Sequence, residues 1–149
     1  MPNRAQLRSL PSEILLVEDN PGDVRLLQEA FKESGVACRL HVTSDGEQAM
    51  AFLNQKGSYS QSPRPSLVLL DLNLPRKNGR EVLAEMKSES NLKSIPVVVL
   101  STSTNPEDIN CAYRLQANCY VVKPENLDSL ITLSKLLESF WFQTVWLPA

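Results

Sequence analysis

Along the 149-residue chain, residues of chemical consequence stand directly after four short apolar runs. Glu18 and Asp19 follow Ile14-Leu15-Leu16-Val17, and Asp71 follows Leu67-Val68-Leu69-Leu70. Ser101 and Thr102 follow Val97-Val98-Val99-Leu100, and Lys123-Pro124 follows Tyr120-Val121-Val122. Three carboxylates brought together repel, and each raises the others' pKa unless a cation sits among them. Oxygen donors in an incomplete protein cage suit Mg²⁺, which keeps several of its waters. Lys123 and Ser101 add donors for an anion. A carboxylate, a hard divalent cation and a lysine together describe a phosphoryl-transfer site. Each residue alone has an ordinary explanation: Asp19 as a helix cap, Lys123 as a surface lysine, Ser101 as a turn residue. Their joint occurrence at four strand ends selects the chemical one.

The elements that must position these residues are legible around them. The four runs are continuous rather than alternating, as expected of strands buried on both faces. Arg39-Leu40-His41-Val42 alternates and predicts an edge strand. Helical spacing lies between the runs. Asp23 to Ser34 carries Val24, Leu27, Ala30 and Phe31 on one stripe and ends at Gly35. Asp45 suits the cap of a second helix, a third follows Gly79, and Asn105-Pro106 opens a fourth. The last starts near Leu127. The order is β-α five times over, an α/β chain with a parallel sheet and helices on both faces. Right-handed crossovers then bring the C-terminal ends of all strands to one edge, where ligands bind in such folds. Residues 55–65 form the one long loop, expected as a solvent-exposed insertion.

Bulk properties exclude several classes. A net charge of −2 offers no overall basic field for nucleic acid or an anionic membrane. No apolar run is long enough to span a bilayer. Residues 1–12 read as a polar, flexible N-terminal tail, without the apolar stretch expected of a secretion signal. Cys38, Cys111 and Cys119 lack metal-ligand spacing and fit structural thiols in a reducing cytoplasm. His41 is the only histidine and has no partner for a zinc site.

Across about residues 13 to 138 the chain resembles the receiver family of two-component signalling. The matching pieces are Ile14-Leu-Leu-Val-Glu-Asp-Asn-Pro, Leu69-Leu-Asp-Leu-Asn-Leu-Pro-Arg-Lys-Asn-Gly, Pro96-Val-Val-Val-Leu-Ser and Tyr120-Val-Val-Lys-Pro, in the family's order. The resemblance implies a flavodoxin-like doubly wound sheet of five strands, order 2-1-3-4-5, with five helices. It implies that Asp71 is the phosphoacceptor nucleophile for a donor phosphohistidine. Glu18, Asp19, Asp71 and the Asn73 backbone carbonyl would hold Mg²⁺, and Lys123 would contact phosphoryl oxygens. Pro124 fits the family's cis Lys-Pro bond. Ser101 and Tyr120 would form the switch, the hydroxyl moving to the phosphoryl group and the ring entering the space it leaves. Thr102 is bulkier than the small residue usual there.

After the last helix comes an apolar extension, residues 139–149, and no output domain is expected. Phe140, Trp141, Phe142, Val145 and Trp146 are too apolar to leave in water, so the extension folds back or packs on a second subunit; a homodimer is the favoured expectation. The extension, with residues 18–26, resembles single-domain regulators that partner bacterial phytochrome histidine kinases. Three alternatives to this signalling relay each need a residue pattern that this chain lacks. A dehalogenase-type hydrolase wants a second aspartate where Asn73 stands. A binding module that has lost phosphorylation would lack some of the acids or the lysine. A flavodoxin-like carrier wants a Ser/Thr/Gly-rich loop after the first strand.

Overall fold

A computed structural model of the protein describes residues 11–148. The expected tail of residues 1–12 therefore lies mostly outside the described residues. Five parallel strands alternate with helices: β1 (Ser12–Val17), α1 (Pro21–Ser34), β2 (Cys38–Thr43), α2 (Gly46–Leu53), β3 (Leu67–Leu70), α3 (Gly79–Ser88), β4 (Val97–Ser101), α4 (Pro106–Arg114), β5 (Cys119–Val122) and α5 (Leu127–Leu137). The sheet order is β2-β1-β3-β4-β5, as expected. Leu15 pairs in register with Val68, and Val68 with Val97, so three of the four apolar runs lie side by side at the centre. The fourth, in β5, is not buried on both faces as expected: β5 is an edge strand with no neighbour beyond it, and Val122 is exposed.

Alternation along a strand sends successive side chains to opposite faces, and here both faces are covered. Leu15, Val17, Val68, Leu70, Val97 and Val99 point into a cluster with Ala49, Met50, Val82, Leu83, Met86 and Ala112 of α2, α3 and α4. Ile14, Leu16, Leu67, Leu69, Val98 and Leu100 point the other way, onto Leu27, Ala30, Phe31, Leu130 and Leu137 of α1 and α5. Unbroken apolar runs are what two covered faces demand. The edge position of β2 matches its weaker alternating pattern.

Each helix starts from a side-chain cap just beyond the preceding strand. Asn20, Asp45, Asn78, Asn105 and Asn126 accept from the backbone N–H groups of Asp23, Gln48, Glu81, Glu107 and Ser129. Such caps fix where each chain segment turns, worth about 1 kcal/mol apiece. The first helix starts two residues earlier than its apolar stripe suggests, because Pro21 suits the N1 position and Asn20 takes the cap. Asp19 is thereby left free of capping. Gly35 ends α1 in the left-handed region at φ 72°, as expected.

The long loop is less loose than its composition suggests. It holds a 3₁₀ turn at Gly57–Tyr59, Tyr59 packs edge-on to Phe52, and Ser62 donates to the Phe52 carbonyl. Beyond α5 the chain continues as a π-helical segment, Glu138–Thr144, closed by the Val145 N–H on the Phe140 carbonyl at 2.9 Å. Trp141 and Phe142 pack half-buried on the α1–α5 side of the core, whereas Phe140 and Trp146 are exposed. The apolar extension thus splits between its own domain and the outer surface.

Candidate phosphoryl-transfer site

The strand ends are pinned to one another by main-chain hydrogen bonds. The Glu18 N–H donates to Thr43 at the end of β2, and the Asp71 N–H donates to Val17 at the end of β1. The Lys123 N–H donates to Ser101 at the end of β4. Sheet register therefore sets the spacing of the side chains. Gly79 allows the turn after Asp71 to fold tightly: a Cβ there would lie 2.1 Å from the Asp71 carbonyl oxygen.

The expected acids converge. One carboxylate oxygen each from Glu18, Asp19 and Asp71 lies within 4.8 Å of the others. Glu18 is buried, Asp71 half-buried and Asp19 exposed. Burial pushes the Glu18 carboxyl up to about 7, and the charge of Asp71 adds to the push against the hydrogen bond from Lys123. This is a cluster short of positive charge, and its all-oxygen donors fit a hard cation. Asn73 lies beside it, its N–H donating to Asp71 Oδ1 at 3.1 Å.

The Lys123 amine is buried among carboxylates. It forms a short contact with Glu18, lies 3.1 Å from Asp23 Oδ2 and stands 3.9 Å from Asp71 Oδ2. Burial pulls its pKa down, but the hydrogen bond and charge of Glu18, with Asp23 and Asp71, carry it above the ordinary lysine value. Lys123 is therefore charged. One expectation fails here: no peptide bond among the described residues is cis, so Lys123-Pro124 is trans. Trans is the cheaper isomer by about 0.5–1 kcal/mol, and in it the amine already reaches Glu18.

Ser101 is buried at the end of β4, and its Oγ accepts from the Ser103 N–H at 3.2 Å. Tyr120 is half-buried against the core, its hydroxyl donating to the Ser103 carbonyl at 2.9 Å. The two expected switch residues are thus joined through Ser103. The Ser103 hydroxyl in turn donates to Asp108, which accepts from Arg80 of α3 at 2.8 Å. Sequence reasoning missed Asp23 and Ser103. Asp23 reads as an ordinary first-turn acid, and Ser103 sits in a loop with no periodic signal.

Residues 14–135 match the family model of the response regulator receiver domain. The chain belongs to that family. The receiver is 55% identical over 139 residues to the response regulator Rcp1 of Synechocystis, covering 93% of this chain and 95% of that one. Its fold superposes on the phosphorylated cyanobacterial phytochrome response regulator RcpA with a TM-score of 0.87 at 52% identity, covering 93% and 99% of the two chains. The Mn²⁺-bound form of Rcp1 gives 0.84 at 55% identity, covering 93% and 100%. A response regulator in red light signalling of R. palustris gives 0.88 at 33%, covering 93% and 99%. Glu18, Asp19 and Asp71 present the carboxylate cluster that a divalent cation needs. Among the described residues, no helix is long and apolar enough to cross a membrane.

Proposed function

We propose that this receiver accepts a phosphoryl group from a histidine kinase onto Asp71, as a signalling phosphoacceptor rather than an enzyme with a substrate of its own. The observation that carries this reading is the charge arrangement around one carboxylate: two further acids within 4.8 Å and a lysine amine at 3.9 Å. An Asp71 oxygen attacks phosphorus, the P–N bond of the donor phosphohistidine breaks, and the imidazole leaves. Lys123 contacts the phosphoryl oxygens and offsets their charge. Glu18, Asp19, Asp71 and the backbone carbonyl of Asn73 hold Mg²⁺, which supplies charge stabilisation for the transferring group. Ser101 gives up its bond to the Ser103 N–H for the phosphoryl group, and Tyr120, anchored on the same residue, carries the change to the face of α4, β5 and α5.

The donor is a light-sensing kinase of phytochrome type on this proposal, supported by the likeness to RcpA, a phytochrome response regulator. The functional unit is residues 13–138, acting in the cytoplasm. Residues 139–149, with α5, form a homodimer contact. Exposed Leu136 and Phe140, one helical turn apart, support this.

The test is intact-protein mass after incubation with acetyl phosphate and Mg²⁺. A single phosphoryl adduct is expected on the wild type, absent from Asp71→Asn and abolished by EDTA. No adduct at any donor or Mg²⁺ concentration would overturn the phosphoacceptor role and leave a binding module of receiver shape.

A further inference from the structure

Lys123 has one more carboxylate than a receiver site of three acids and a lysine requires. Asp23 is outside the cluster of Glu18, Asp19 and Asp71, yet its Oδ2 stands 3.1 Å from the amine. It is fixed there by the start of α1, where Pro21 occupies the first turn and the Asp23 N–H donates to the Asn20 cap at 3.1 Å. An ammonium has three N–H donors. Glu18 takes one and Asp23 another, and the third faces Asp71 across 3.9 Å, beyond hydrogen-bond reach.

Without Asp23, a cation that draws Glu18 away would leave the buried amine one strong counter-charge, Asp71. A lysine on Asp71 covers the oxygens that must bind metal and attack phosphorus. We propose that Asp23 is a positioning residue: it tethers the Lys123 amine on the α1 side of the site and keeps it from closing onto Asp71. The Asp71 oxygens then stay open to a divalent cation and to the incoming phosphoryl group. This rests on the phosphoacceptor role given above, and deepens it by adding a residue that works through the lysine.

The tether separates from a simple charge effect in a double-mutant cycle on the full chain. Calorimetry would give the Mn²⁺ affinity of wild type, Asp23→Asn, Lys123→Met and the double variant. It would also give the beryllofluoride affinity of wild type and Asp23→Asn at saturating metal. Asp23→Asn is expected to weaken Mn²⁺ binding about threefold to fivefold in the wild-type background, the size of a partly exposed ion pair, and to leave it unchanged beside Lys123→Met. Beryllofluoride should bind more weakly to Asp23→Asn than to wild type.

An equal loss of Mn²⁺ affinity in both backgrounds would overturn the tether, leaving Asp23 a distant charge. So would tighter beryllofluoride binding, because removing a negative charge near an anion favours the anion. No change in either affinity would also overturn it. Thermal unfolding of the metal-free variants checks that each is folded. Wild-type protein that binds neither Mn²⁺ nor beryllofluoride would sink the phosphoacceptor role and the tether together; normal wild-type binding with an additive cycle would sink the tether alone.

Discussion

Glu18 is where burial and charge pull hardest against each other. Its carboxyl, pushed up to about 7 by burial and by Asp71, keeps its proton to a higher pH than an ordinary glutamate does. That proton occupies an oxygen the cation needs. Divalent-metal affinity should therefore rise with pH up to about 7 and level off above it, because the competing proton is lost there. Mn²⁺ titrations between about pH 5.5 and 8.5 check this, and Glu18→Gln should remove much of the slope. A wild-type affinity flat through this range would contradict the shift. The thiol of Cys38 offers a separate check: burial, aided by Glu138 and Glu13, pushes it up to about 11. At pH 8 it should alkylate far more slowly in the folded chain than in denaturant, since the thiolate is the nucleophile; equal rates by peptide mass mapping would refute it. Glu18, Asp19, Asp71, Ser101 and Lys123 were readable in the sequence because each ends an apolar run. Asp23 was not, because its partner is a hundred residues away and only the α1–β5 geometry brings them together.

At the scale of elements, the site depends on how tightly the β3–α3 turn closes. Gly79 has no room for a side chain: an added Cβ would lie 2.1 Å from the Asp71 carbonyl oxygen and 2.5 Å from Leu72 Cα. These are backbone atoms of Asp71, which must be held in place, and of its neighbour Leu72, so the clash cannot be relieved by a side-chain rotation. Gly79→Ala should cost roughly 1–3 kcal/mol of stability and displace Asp71. Ala84→Gly, on the exposed side of the same helix, should cost about 1 kcal/mol through helix propensity alone. Denaturant unfolding and phosphoryl-adduct formation together separate the two. Adduct formation should fall in Gly79→Ala and persist in Ala84→Gly; normal adduct yield in Gly79→Ala would contradict the close approach. The elements themselves were legible because strand runs, helical stripes and caps all agree. The start of α1 was missed because Pro21 and Asn20 lie ahead of its apolar stripe. The anchoring of residues 55–65 was missed because Tyr59 and Ser62 act by contacts with Phe52, which leave no periodic trace.

For the whole molecule, the question is which side of the last helix is spent inward and which remains outward. Leu130, Leu137, Trp141 and Phe142 pack toward α1 and the sheet, and the Glu138 carboxylate accepts from the Ala37 N–H at 3.2 Å, fastening the end of α5 to the α1–β2 turn. Leu136 is 62% exposed and Phe140 51%, a stripe at helical spacing on the opposite side. Two effects that the amino-acid composition merges thus become separable. Trp141→Ala should lower monomer stability by roughly 1–3 kcal/mol, since it removes apolar surface that is already covered. Phe140→Glu should cost monomer stability only about 0.5–1.5 kcal/mol, the worth of its edge-to-face contact with Trp141, because the rest of the ring is exposed. If a second copy covers the stripe, the same charge placed on both sides of a two-fold interface repels itself, so Phe140→Glu should shift the protein to monomer. Sedimentation velocity of wild type, Phe140→Glu and Trp141→Ala, with thermal unfolding of each, gives both quantities. A dimeric Phe140→Glu would place the contact elsewhere on the surface. A monomeric wild type, phosphorylated or not, would leave the extension as a brace for its own domain, with Trp141 and Phe142 as its reason for being apolar.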